Sequence, residues 1–537
     1  MRHLGQGVGA AVLVVFLAAT SIACTTSDGE GPGIRVAETD DVRLAVDADG
    51  SGVETSRAVL TESPVAVVSA SDPASQARAA SLAVGLRAPM FTEVPGSPEA
   101  LTAELERLGV DRVLGVGGAE VATDGIEVVA APDGREDMEE LTGLSFAGEV
   151  QIPADRVDDH TVHQAPGSPA LLSVGEVPGG QGPAGDAEPF APRDAAWTGD
   201  DAPQVLVHDD TPVSAIATAV AAGAAVSHLR APDPRVDAGS VEAVRDTGSV
   251  LALGPGWGDD DEFRDRLEQA RTVPELPGGG QLQFPGRRYV AAYGSPVTPA
   301  LGILGEQDPQ QSVDRVERLV DEYRPFSPEP VVPAFEIIGT VASGGPGDDG
   351  NFTNEWSQEE LTPLVDAITG AEGYAVIDLQ PGMADFLDQA KLYEDLLTRP
   401  GVGLALDPEW KMAPGQQPGA QVGTVGADEI NRVIEWLADL TRDTGGPQKL
   451  LILHQFNLAM ISDREQIDTS RPEVAVVLHA DGHGTRGEKM ETWDLLRRGL
   501  PTDIRMAWKN FYDEDTPTFT PEETMEVSPR PWFVSYQ

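Results

Sequence analysis

Cysteine is almost missing from this chain: Cys24 is the only one in 537 residues, so no disulfide can form within it. Basic residues are scarce as well, 37 Lys and Arg against 88 Asp and Glu, for a net charge of −51. So acidic a surface repels phosphate backbones, which argues against nucleic acid as a partner and favours neutral glycans or cations. Long apolar runs are also lacking. The one near the start, residues 8–19, is too short to span a membrane. What the chain does have is length, enough for about three domains, and 40% apolar residues from which to build their cores. Its 58 glycines and 43 prolines point to long connecting segments.

The first 23 residues read as an export signal, with Arg2, then the apolar run, then small residues before Cys24. Ser21-Ile22-Ala23-Cys24 resembles the lipobox of bacterial lipoproteins. That resemblance implies lipidation at Cys24 and a protein exported and anchored to the outer face of the cytoplasmic membrane, with the lipid as its only membrane attachment. A plain secretory signal with a chance cysteine is the alternative. Residues 24–60, opening on a stretch rich in Thr, Asp, Gly and Glu, are expected to form an acidic flexible tether.

The chain then repeats itself. Residues 61–150 and 201–272 each read as strand, small-residue helix, strand, charged helix and a strand closing in glycine. Strands alternating with helices predict parallel layers, here two Rossmann-like α/β repeat units, and an internal duplication. Segments 151–200 and 273–286 read as Pro/Gly-rich linkers. Residues 64–118 resemble the cell wall-binding repeats of surface proteins, whose closing strand is matched by Val113-Leu114-Gly115-Val116-Gly117-Gly118. The second copy departs from that pattern, closing on Leu253-Gly254-Pro255-Gly256. A nucleotide site or a plain spacer remain the other readings of these units.

From 287 to 537 there are eight apolar, strand-like runs: 289–293, 331–338, 374–379, 402–406, 449–453, 474–478, 504–508 and 532–535. Helical patterns separate them at 312–323, 357–368, 384–398, 427–441 and 488–498. Near-continuous apolar strands in this number predict a (β/α)8 TIM barrel, whose sites sit where strands end. Polar residues collect there: Tyr293, Glu336, Asp378, Gln380, Asp407, Glu409, His454, Gln455, His479, Asp481, His483, Lys509 and Tyr512.

Two chemistries compete for that rim. Alternate residues of an extended strand face the same way, so Asp407 and Glu409 are expected to project together, their Cα atoms roughly 6.5 Å apart, and neighbouring carboxylates raise each other's pKa. Glu409 then serves as a general acid, Asp407 orients or stabilises charge, and Asp378 or Asp481 is the second carboxylate. Trp410, Trp508 and Trp532 offer flat faces to sugar rings. Asp407-Pro408-Glu409 resembles the D-x-E at the end of strand four in TIM-barrel glycoside hydrolases of the chitinase and muramidase type. The resemblance implies a hydrolase of cell-wall or extracellular polysaccharide, with Glu409, Asp407 and Asp378 catalytic and the other rim residues binding substrate. No cofactor is required on that reading. On the second chemistry, His479, Asp481 and His483 bind a divalent metal with His454 for hydrolysis or deacetylation. A non-catalytic glycan binder or scaffold of the envelope is the reading from a different class.

Overall fold

The computed structural model describes residues 34–36, 42–95, 98–119, 121, 125–175, 177, 187–194, 197 and 202–537. Cys24 and the export signal lie outside the described residues. Two four-stranded parallel sheets form the first part. One has the order Met90–Thr92, Val65–Ser69, Arg112–Val116, Glu127–Ala130. The other has the order Ala225–His228, Gln204–Val207, Val250–Leu253, Arg43–Ala45. Its last strand thus comes from ahead of the first sheet, in a stretch where a tether is expected. Arg43–Ala45 pairs with Leu251 to Leu253, and Val42 and Leu44 pack against the cluster of Leu206, Trp257 and Phe263. Apolar side chains at alternate positions make this short run a strand despite its acidic surroundings. The helix Val53–Val59 follows, its first N–H groups from Glu54 and Thr55 held by the Asp47 carboxylate at 2.8 and 3.0 Å.

The alanine-rich helices Pro73–Leu86 and Val213–Ala222 contact each other, and their small side chains allow close approach. Both sheets contribute to one shared hydrophobic cluster, and the Met90 N–H donates to Thr218 Oγ1 at 3.0 Å. The 151–200 segment is also partly structured: Val157–Val162 is helical, and Leu171–Ser173 pairs in parallel with Glu149–Gln151.

The C-terminal region is a closed barrel of eight parallel strands. They are β1 (Arg288–Gly294), β2 (Val331–Ala342), β3 (Tyr374–Leu379), β4 (Val402–Leu406), β5 (Lys449–Gln455), β6 (Val474–Ala480), β7 (Arg505–Asn510) and β8 (Phe533–Tyr536). β8 pairs with β1 to close it. Alternation sorts the side chains: on β5, Leu450 and Ile452 join the inner core, whereas Leu451 and Leu453 face the helices. The outer helices present stripes to match, such as Val313, Val316, Val320 and Tyr323 on Pro309–Tyr323.

Residues 273–286, expected as a linker, form the barrel's floor. Leu276 and Phe284 enter the inner core, and Gln283 bridges Tyr289 and Tyr374 through bonds of 2.7 and 3.1 Å to their hydroxyls. The Tyr374 ring needs the space beside Gly403, where a Cβ would meet Leu450 O at 2.6 Å and the Tyr374 hydroxyl at 2.9 Å. Among the described residues, no helix is long and apolar enough to cross a membrane.

Candidate active site at the barrel mouth

The inner face of each strand runs apolar for one or two residues and then turns polar at its C-terminal end. The period of two therefore delivers Tyr293, Glu336, Asp378, Asp407, His454, His479, Lys509 and Ser535 to one place. Each is at most 3% exposed. Buried polar groups this numerous must satisfy one another, and mostly they do.

His454 is the hub. Its Nε2 lies 2.8 Å from Glu336 Oε1 and 4.0 Å from Asp378 Oδ1, and its Nδ1 lies 2.9 Å from Asp481 Oδ2. Lys509 Nζ stands 3.2 Å from Asp481 Oδ1 and 3.8 Å from the centre of the Tyr293 ring. The Tyr293 hydroxyl donates to Asp378 Oδ2 at 2.9 Å. His479 sits beside His454, with ring centres 4.7 Å apart, its Nε2 against Ser535 Oγ at 3.2 Å and its Nδ1 3.8 Å from Glu336 Oε1. Glu336 Oε2, Asp378 Oδ1 and His479 Nδ1 are buried without a hydrogen-bond partner among the described residues.

These contacts separate the charges. Burial pushes the Asp378 carboxyl up to about 6 against the pull of His454. Burial also holds Asp407 well above the usual carboxylate range; His454 opposes this, and Asp378 and Asp481 add repulsion. Glu409 is raised by burial and by the negative charge of Asp481. Asp481 moves the other way, because Lys509 and His454 outweigh its burial. Burial likewise works against a charged His454, yet Glu336 and Asp481 hold it well above an ordinary histidine. Burial brings His479 down to about 4.

Above this cluster opens a cavity of about 400 Å³. Asp407, Glu409, Asp481, Lys509, Gln380 and His483 supply its polar wall, and Tyr293, Trp410, Phe456 and Phe511 its aromatic one. Strand-four and strand-six acids thus face a common space. Asp407 and Glu409 reach it differently from an extended D-x-E. The chain turns into a short 3-10 helix at Pro408–Trp410, with the Asp407 carboxylate accepting the Glu409 N–H at 3.2 Å.

Other rim residues go elsewhere. Gln455 has the wrong parity, so its side chain faces outward to Arg464 and the Asn457 carbonyl. Tyr512 is 42% exposed and packs on Tyr536, off the cavity. Glu336, Asp378, His454 and His479 lie beneath the cavity wall rather than in it. His479, Asp481 and His483 do not converge as a set: alternation sends His479 inward to Ser535, whereas the turn at Gly482 carries His483 to the cavity edge beside Phe511. Trp508 is a core residue between Trp493 and Phe519. Trp532 precedes β8 at the floor end, under the Arg288 guanidinium. Sequence reasoning passed over Ser535, although it has the inward parity of its strand, and over Phe456 and Phe511, which follow strand ends directly.

No known protein family matches the chain, and no curated protein matches it. Among solved structures it is similar to Cwp6 from Clostridium difficile, at 13% identity and a TM-score of 0.31, over 60% of this chain and 66% of that one. So distant a likeness leaves the function to the geometry of the mouth.

Proposed function

We propose that the barrel is a glycoside hydrolase of cell-wall or extracellular polysaccharide, with Glu409 as its general acid and Asp481 as the partner carboxylate. The observation that carries this reading is the approach of two carboxylates, from the ends of β4 and β6, to one aromatic-walled cavity. Glycoside hydrolysis needs one carboxyl that keeps its proton and one that stays ionised. Half-buried Glu409 suits the first role, and Asp481, 3.2 Å from the Lys509 ammonium, suits the second. Asp378 is less apt than Asp481 as the second carboxylate, because it lies beneath the wall with Tyr293 donating to it. Trp410 and the neighbouring rings support the stacking of sugars.

The resemblance of residues 64–118 to wall-binding repeats and of residues 21–24 to a lipobox supports an exported, lipid-anchored envelope protein, its α/β units holding the barrel near the wall. Incubating the full chain with purified wall and extracellular polysaccharides, followed by product analysis, tests the reading. New reducing ends support it. Binding without turnover across the set replaces the hydrolase with an envelope glycan binder.

A further inference from the structure

Among the described residues, Glu336 Oε2, Asp378 Oδ1 and His479 Nδ1, under the cavity, lack hydrogen-bond partners. All three residues are fully buried. Leaving such atoms unpaired costs about 1–3 kcal/mol each, more where the group is charged. Asp378 Oδ1 lies 4.0 Å from His454 Nε2, His479 Nδ1 lies 3.8 Å from Glu336 Oε1, and the ligand atoms of Glu336, His454 and His479 lie within 4.8 Å of one another.

We infer that Glu336, Asp378, His454 and His479 form a site for one divalent transition-metal ion of the zinc class, beneath the cavity floor. The inference deepens the hydrolase reading and rests on it for its consequence. Donors about 2.1 Å from a shared tetrahedral ion stand roughly 3.4 Å apart. Two separations bracket that value, 2.8 Å from Glu336 Oε1 to His454 Nε2 and 3.8 Å from the same oxygen to His479 Nδ1; Asp378 Oδ1 is the outlying donor, 4.0 Å from His454 Nε2 and outside the group of three.

The outer atoms of three ligands are already fixed. His454 Nδ1 meets Asp481 Oδ2, His479 Nε2 meets Ser535 Oγ, and Asp378 Oδ2 accepts from Tyr293. A metal-bound histidine engages its second nitrogen in this way, which fixes the tautomer and the ring orientation. Two imidazoles with two carboxylates suit zinc and its neighbours rather than magnesium or calcium, which take oxygen ligands. Asp407, His454 and Asp481 also approach one another. The Lys509 ammonium beside Asp481 disfavours a cation there. Closed off from solvent on all four ligands, the ion would position rather than react, holding His454 and through it the Asp481 carboxylate at the cavity edge.

Elemental analysis of the purified full chain, then removal of metal with a chelator and titration with Zn2+ or Co2+ alone, tests the site. About one equivalent per chain is expected, with a visible Co2+ spectrum of tetrahedral type. Glu336→Gln and His479→Gln should each lose that equivalent, and Glu409→Gln should keep it. A stripped wild-type chain that stays folded by circular dichroism and takes up neither ion overturns the inference, as does metal retained at full stoichiometry in both variants. Metal uptake without sugar release leaves the site standing and removes the hydrolase. Sugar release by a chain that binds no metal does the reverse.

Discussion

Glu409 carries the functional account at the scale of single residues, and its environment sets a direction in pH. Burial and the charge of Asp481 raise its carboxyl, so the proton an acid catalyst must donate is retained to a higher pH than usual and is lost as pH climbs through that raised value. Hydrolysis is expected to fall on the alkaline side through a step that Glu409→Gln abolishes, and a pH profile of kcat checks it. Lys449 supplies an independent titration, away from the mouth at the start of β5. Burial brings its ammonium down to about 7, with the Arg399 carbonyl as acceptor. Between that value and about 10.4 the unfolded chain binds a proton that the folded chain does not, so stability rises with pH across this window. Relative to Lys449→Met, the wild-type melting temperature should climb by a few degrees from pH 6.5 to pH 9. A constant difference would contradict the assigned shift.

At the scale of elements, the barrel depends on matching large and small residues across its inner layers. Gly403 on β4 faces Tyr374 on β3 and the β5 backbone, where an added Cβ has no room. Gly403→Val should destabilise the barrel by about 1–3 kcal/mol, measured by denaturant unfolding, with Gly344→Ala as the comparison because that exposed loop position has nothing within 4 Å and needs no left-handed backbone. The strand Arg43–Ala45 is a second element with a specific test. Leu44→Asp places a charge against the cluster with Leu206 and Trp257, and limited proteolysis should then cut within 202–272 while the barrel stays intact. Equal resistance in both chains would deny that strand a structural role.

The whole molecule shows what pattern could and could not reveal. The eight barrel strands were legible because each is a bounded apolar run, and their observed limits differ from the expected ones by only a few residues at each end. Which rim residues face inward is set by parity, and the sequence reading did not apply it: Gln455, expected at the rim, faces outward, and Ser535, passed over, faces inward. Closure of the second sheet by Arg43–Ala45 was not legible, because three residues carry too little pattern and their partner lies some two hundred positions away. The helix near 384–398 is broken into Phe386–Lys391 and Glu394–Leu397; there Tyr393 turns its hydroxyl inward to the Gly339 carbonyl, a tertiary demand with no local signature. That Glu336, Asp378, His454 and His479 gather at one end of the barrel was legible from their place at strand ends; that they lie beneath the cavity was not, because it depends on how four separate strands register around the barrel.

The role of Glu409 can be isolated by varying the leaving group. Once a susceptible glycan is in hand, kcat/KM of the wild type and of Glu409→Gln should be compared on that glycan and on an aryl glycoside of the same sugar whose phenolate departs without protonation. Loss of a general acid predicts a drop of about 10²- to 10⁴-fold on the glycan and a far smaller one on the aryl glycoside. Equal losses on both, or none on either, would contradict the account.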